Sequence, residues 1–165
     1  MNTKRVSGLN QIVFSDSEIL VLGTFPSEES RKTSQYYTSS RNRFWQIINR
    51  QFNENKGFCS YNEKIAILRQ NHIALWDVIA SKQFTGESSD EGILLPEYND
   101  LRTFLNTHSQ IKKIIFNGRT SEHFLFVKIR DSISDDMCVG CTCTGGRVNV
   151  SFQDLFDEWR CALTL

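Results

Sequence analysis

Four short apolar runs restrict the architectures open to this chain: Glu18–Gly23 (EILVLG), His72–Ala80 (HIALWDVIA), Ile111–Phe116 (IKKIIF) and Met137–Thr144 (MCVGCTCT). The first contains β-branched residues, stops at a glycine and is followed by Pro26, which suits a strand buried on both faces. The segments between the runs have helical spacing. Phe44, Trp45, Ile47, Ile48 and Phe52 mark one apolar helix face within Asn42–Phe52. Tyr61, Ile65, Ile67 and Leu68 mark a second before Asn71, and Leu101, Phe104 and Leu105 a third that Asn99-Asp100 can cap. Arg119–Arg130 is expected to be a fourth helix, with Phe124, Leu125 and Val127 inward. Ser151–Leu163 is the last, buried through Phe152, Leu155, Phe156 and Trp159 and capped by Ser151 with Asp154 three residues on. Strands alternating with helices predict an α/β fold: a single domain with a central four-stranded parallel sheet and helices on both faces.

A parallel sheet brings the C-terminal ends of its strands to one edge, where a pocket is expected. Gly23 to Phe25, Asn117 and Thr142 to Arg147 all fall there. Between Gly23 and Ser40 the chain is polar and aromatic with no period, and reads as a long loop of the kind that usually carries function. Arg41 and Arg43 stand beside a helix start, where the dipole disfavours cations by about 0.3–1 kcal/mol each. That placement suits an anion such as phosphate held by two guanidiniums and free N–H groups. The alternative is that both arginines are solvated or paired with Glu28 or Glu29. Asp77, a carboxylate in an apolar run, needs a partner, and either orients a loop side chain or caps a neighbouring loop. Lys82–Pro96 reads as a loop near the mouth of the site.

At 165 residues, 39% hydrophobic and 23% charged, the chain has enough apolar side chains for one core. It shows neither a long apolar span nor a leader, so a cytoplasmic location is the default expectation. A formal net charge of zero offers no global attraction to nucleic acid, so DNA contact requires a local patch. Arg31, Lys32, Arg41, Arg43, Arg119 and Arg147 are the candidates. Five cysteines argue against a disulfide framework. Cys138, Cys141 and Cys143 have a metal-like spacing but lack a fourth ligand, and buried core thiols are the competing reading. Neither a G-x-G-x-x-G nor a P-loop pattern is present.

The run Gly23-Thr-Phe-Pro-Ser, then Gln35-Tyr-Tyr and Arg41-Asn-Arg-Phe-Trp45 resembles the first motif of the uracil-DNA glycosylase superfamily, nearest its mismatch-specific and hypoxanthine branches. Ala74–Ser81 and Ile114-Ile-Phe-Asn-Gly118 follow in the family's order. The resemblance implies a uracil-DNA glycosylase-like domain over the whole chain. Its activity would be monofunctional hydrolysis of the N-glycosidic bond of a flipped deaminated base, hypoxanthine or uracil, in DNA. No cofactor or metal, and no protein partner beyond a monomer, would be required. It implies base contacts from Thr24, Phe25, Tyr37 and Asn117, with the Tyr37 ring stacking on the base and the Asn117 amide reading its edge. DNA contacts would come from Arg41, Arg43, Thr144, Gly145, Gly146 and Arg147.

Where many relatives have an asparagine in Gly-x-Asn-Pro-Gly, this chain has Phe25, as in the hypoxanthine branch. The water-holding role then passes to Asn42, with helix capping as its competing role. Relatives also carry Ser-Pro-Ala-His or Ser-Pro-Ala-Asn after the last strand, whereas this chain has Thr144-Gly-Gly-Arg147, expected to be a flexible loop. That departure keeps a second function class open, a glycosylase-like protein that binds a base, nucleotide or damaged DNA without cleaving it. Iron–sulfur branches carry an N-terminal cysteine pair that is missing here.

Overall fold

A computed structural model describes residues 5–83, 93–121 and 133–165. In chain order the strands are β1 (Arg5–Ser7), β2 (Ile19–Gly23), β3 (Ile73–Asp77), β4 (Ile79–Gln83), β5 (Leu94–Tyr98), β6 (Lys113–Asn117) and β7 (Cys138–Cys141). The helices are α1 (Glu28–Thr33), α2 (Phe44–Phe52), α3 (Tyr61–Gln70), α4 (Leu101–Thr107) and α5 (Phe152–Ala162). Helical backbone also begins at 119–121, and the rest of the helix expected there lies outside the described residues.

The expected four-stranded parallel sheet is present, in the order β3-β2-β6-β7. Because side chains alternate across a strand, the sheet feeds two cores. Ile19, Val21, Ile73, Leu75 and Ile115 face α2, α3 and α5, packing with Phe44, Ile47, Ile48, Leu68, Leu155 and Trp159. On the other face Leu20, Leu22, Ala74, Trp76, Ile114 and Phe116 meet Leu101 and Phe104 of α4. The helix starts follow local chemistry. Ser27, Ser60, Asp100 and Ser151 each accept a hydrogen bond from the backbone N–H three residues on, as N-cap side chains do.

Several sequence expectations change. The run His72–Ala80 is not one strand. After Asp77 the chain bends away, with Val78 N–H donating to Gly23 O (2.9 Å) and Ile79 N–H to Thr24 O (3.0 Å). Beyond the bend, β4 enters a separate antiparallel sheet in the order β1-β4-β5. β1 and β5 have mostly exposed residues, so no apolar alternation announced them. Part of the expected Lys82–Pro96 loop is therefore strand, and its middle lies outside the described residues. The expected loop before Ser40 contains α1, and the last strand is shorter than Met137–Thr144.

The strand order places a topological switch between β2 and β6. The connection from β2 leads to β3 on one side, and the next parallel strand, β6, pairs on the other. Sheets of this kind open a crevice beyond the strand ends at that point. Gly23 and Asn117 are the residues that end β2 and β6.

Candidate active site

A cleft of about 150 Å³ opens at the switch point. It is lined by Gly23, Thr24, Phe25, Tyr37, Asn42, Asp77, Asn117 and Cys143, among others.

The Tyr36-Tyr37 pair is held from below. Tyr36 is buried; its N–H donates to the Tyr61 hydroxyl (2.9 Å), and its carbonyl accepts from Trp45 Nε1 (2.8 Å). Its own hydroxyl donates to Asn10 O (3.2 Å). With Tyr36 fixed, Tyr37 takes a left-handed backbone conformation (φ 55°), which is uncommon for an aromatic residue and typical of positions set by function. Its ring packs on Phe44 with centroids 4.4 Å apart. Burial first, and then the Asp77 charge, raise the Tyr37 phenol well above the ordinary tyrosine range, and the neighbouring Asn117 amide offsets part of this. Within ordinary hydrogen-bonding distance and angle, no partner closes on its hydroxyl among the described residues.

A directional chain of hydrogen bonds joins three elements. Thr144 N–H donates to Asn117 Oδ1 (2.8 Å), and Asn117 Nδ2 donates to Thr144 Oγ1 (2.9 Å). That hydroxyl donates in turn to Asn42 Oδ1 (3.0 Å), which also accepts from Phe44 N–H at the start of α2 (2.9 Å). Both acceptor positions of the Asn42 oxygen are thereby used. The backbone N–H can only be a donor, so the Asn42 amide orientation is determined and its NH2 group is what remains for the cleft. Capping and presentation to the cleft are thus done by the two ends of one side chain.

Three assignments are corrected. Thr144 does not reach DNA, being fully buried and hydrogen-bonded between Asn117 and Asn42. Arg43 is not half of a guanidinium pair on a helix start. Its Nη1 donates to Val150 O (2.7 Å) and its Nη2 to Val148 O (3.3 Å), which ties the segment after β7 to α2. Asn117 spends one donor and one acceptor on Thr144, so it holds the chain after β7 instead of offering a whole amide edge to a ligand.

The Gly145-Gly146 turn is also not the flexible loop expected. A Cβ on Gly146 would stand 2.6 Å from Arg41 Cβ and 3.0 Å from Arg41 O, so the glycine is there for close backbone packing. Gly145 N–H donates to Cys143 Sγ (3.3 Å). The contact sets Arg41 and Gly146 side by side; Arg41 and Arg147, the residue after Gly146, are both exposed. Glu28 pairs with Lys32 (2.6 Å), not with either arginine.

Phe25 lines the cleft, with Lys82 Nζ 5.1 Å and Arg31 Cζ 5.7 Å from its ring centroid, within cation–π range. Sequence reasoning did not place Tyr36, Ser27, Ser30 or Ser39 in the cleft, and considered Asp77 only as a support; Cys143 belongs to the Thr142–Arg147 stretch expected at this edge. Asp77 had a signal, a carboxylate inside an apolar run; the serines had none beyond lying in the first loop. The three clustered cysteines do not converge. Cys141 packs in the core against α5, its thiol pushed up to about 12 by burial, while Cys138 packs against the opposite face. Cys143 sits in the cleft.

A doubly wound parallel sheet with a small polar-aromatic cleft at its switch point defines a class of α/β proteins that bind ligands beyond their strand ends. Within that class, residues 11–150 match the model of the uracil DNA glycosylase superfamily. The chain belongs to this superfamily. It is 33% identical over 117 residues to a hypoxanthine DNA glycosylase of Methanosarcina acetivorans, 71% of this chain and 73% of that protein. A hypoxanthine DNA glycosylase of Methanosarcina barkeri is 28% identical over the same shares of the two chains. A solution NMR structure of a candidate uracil DNA glycosylase from Methanosarcina acetivorans superposes with a TM-score of 0.81 at 26% identity, over 97% of both chains. No helix among the described residues is long and apolar enough to cross a membrane.

Proposed function

We propose that this protein is a DNA glycosylase that hydrolyses the N-glycosidic bond of a deaminated base, hypoxanthine first and uracil second, flipped out of DNA into the cleft. The observation that carries the reading is Asn42. Its oxygen is bound on both sides and its NH2 is left for the cleft, where it can hold a water by one lone pair and leave the other to attack. Extrusion of the base costs a few kcal/mol, offset by stacking on Phe25 and Tyr37 and by edge contacts in the cleft.

In the reaction a water oxygen bonds to the sugar C1′. The C1′–N bond breaks, its electron pair leaves with the base, and the water's proton goes to the departing base or to solvent. Asn42 Nδ2 donates to the water and fixes its distance from C1′, an effect of proximity rather than of acidity. The exposed Arg41 and Arg147 contact phosphates, which gives a charge-neutral protein a local anion-binding edge.

The test is single-turnover excision from labelled duplexes containing hypoxanthine, uracil or xanthine, with alkali to cut abasic sites. The expected result is cleavage at hypoxanthine that exceeds cleavage at uracil. Retention of the duplex with no cleavage at any base would refute hydrolysis and support the alternative of a base-binding relative, a reading that the Thr144-Gly-Gly-Arg147 departure favours.

A further inference from the structure

Asp77 ends β3 directly beside Gly23, is 3% exposed and contributes to the cleft lining. A Cβ added to Gly23 would come within 2.4 Å of its Oδ1 and 3.3 Å of the Tyr37 hydroxyl. The glycine at the end of β2 therefore makes room for a carboxylate lying across the strand end. Its backbone is held too, since Asn99 Nδ2 donates to Asp77 O (2.8 Å). Its charge is felt at both tyrosines, where it is the second cause, after burial, of their raised phenols. A carboxylate has about four accepting positions, so contacts within the protein leave others that a ligand in the cleft can use. Asn117 lies across the same cleft but shares its amide with Thr144.

Deamination changes one ring nitrogen in the same way in both candidate bases. N1 of adenine is a bare acceptor and becomes an N–H donor in hypoxanthine; N3 of cytosine becomes an N–H donor in uracil. An ionised carboxylate only accepts hydrogen bonds, so it attracts the N–H and repels the lone pair. We infer that Asp77 is the specificity-determining residue of the cleft, its carboxylate accepting the ring N–H that deamination creates. This rests on the glycosylase reading above. It also gives one physical reason for a cleft to take hypoxanthine and uracil and refuse adenine and cytosine.

The test compares the parent protein with Asp77→Asn, which keeps the shape and removes the charge. Affinities for free hypoxanthine, adenine and N1-methylated hypoxanthine are measured by competition, beside single-turnover excision and thermal melting. The parent should prefer hypoxanthine to both other bases. Asp77→Asn should melt with the parent, bind hypoxanthine about 10- to 100-fold more weakly, as loss of a charge-assisted bond implies, and bring its ratio to adenine toward one. An unchanged ratio in a folded variant overturns the inference. Should the variant not fold, the parent alone decides, since equal affinity for hypoxanthine and its N1-methylated form removes the N–H from recognition. A parent that cleaves no duplex, but whose base preference collapses in Asp77→Asn, refutes glycosylase action and leaves Asp77 as the reader. Normal cleavage with unchanged preference does the reverse.

Discussion

Replacing Asn42 by aspartate separates the two ends of that side chain, which alanine cannot do. The Asn42 oxygen accepts from Phe44 N–H at 2.9 Å and from the Thr144 hydroxyl at 3.0 Å. Aspartate keeps both contacts and adds a negative charge at the start of α2, where the helix dipole favours it by about 0.3–1 kcal/mol. Partial burial of the new carboxylate opposes this gain, so net stability should stay within about 1 kcal/mol of the parent, or about 2–4 °C in Tm for a chain of this size. Alanine would lose the cap contact, about 0.5–2 kcal/mol, and strand the Thr144 hydroxyl, so any fall in its activity would mix two causes. What aspartate removes cleanly is the NH2. If that group holds the attacking water, the single-turnover rate of Asn42→Asp should fall by about 10²–10⁴-fold, the scale of a lost catalytic group. Melting by circular dichroism and excision by gel on the same preparation supply both numbers. A well-folded Asn42→Asp protein that cleaves as fast as the parent, or faster, would refute the water-holding role and leave Asn42 as a helix cap.

The two glycines of the turn after β7 should behave differently. Gly146→Ala forces a Cβ to 2.6 Å from Arg41 Cβ and should cost about 1–3 kcal/mol by overpacking, whereas Gly145→Ala meets only Cys143 Sγ at 3.3 Å and should melt near the parent; equal Tm values would show that the turn is not packed. Arg147→Ala should weaken DNA binding and lower the slope of log K against log salt by about one unit, and an unchanged slope would place this loop off the DNA. Alkaline titration tests the buried phenols. Tyr36 and Tyr37 are raised far above the ordinary range and Cys141 to about 12, so the folded state holds protons that the unfolded chain releases first. Their stabilising contribution is complete below the unfolded values, about 8.5 for the thiol and 10 for the phenols, and is lost as pH rises past them. Denaturant melts between neutral pH and pH 11, with phenolate absorbance, should show stability falling as those values are passed. Ionisation of Tyr36 and Tyr37 at about pH 10 in the folded protein would contradict their burial.

The parallel sheet was legible because its strands are apolar on both faces and end at marked residues, Gly23 and Asn117. The antiparallel sheet was not, because Arg5–Ser7 and Leu94–Tyr98 are mostly exposed and have no alternation to read. Val78 broke one apolar run into strands of two different sheets, and periodicity cannot see a bend that leaves Asp77, Val78 and Ile79 all buried. In the site, residue types pointed to positions but not to partners. Asn117 was placed at the cleft from its position after a strand, yet which of its atoms were committed depended on Thr144, distant in sequence and brought near only by β6 pairing with β7. Arg43 broke the helix-dipole rule for a reason that only the fold supplies, the two carbonyls of Val148 and Val150.

Those same contacts bear on how this chain works without the Ser-Pro-Ala type motif of its relatives. A proline stiffens a loop by restricting its own backbone. Here the stiffness comes from outside the loop. Thr144 is fastened to Asn117 at one end, Arg43 holds Val148 and Val150 at the other, and Gly146 packs on Arg41 between them. Farther back, Trp159 Nε1 donates to Thr142 O (2.9 Å) and Glu158 accepts from Thr142 N–H (2.9 Å), so α5 fixes the point where the chain leaves the sheet. The start of α2 and the segment after β7 are therefore one unit, joined through Arg43 N–H to Thr144 O (2.9 Å) as well as through the side chains. Arg147 and the Asn42 amide belong to that unit, so in the proposed reaction a phosphate held at the first would set the position of the sugar relative to the second. Loosening it at Arg43, whose guanidinium is committed to Val148 and Val150, should therefore slow cleavage more than it weakens binding.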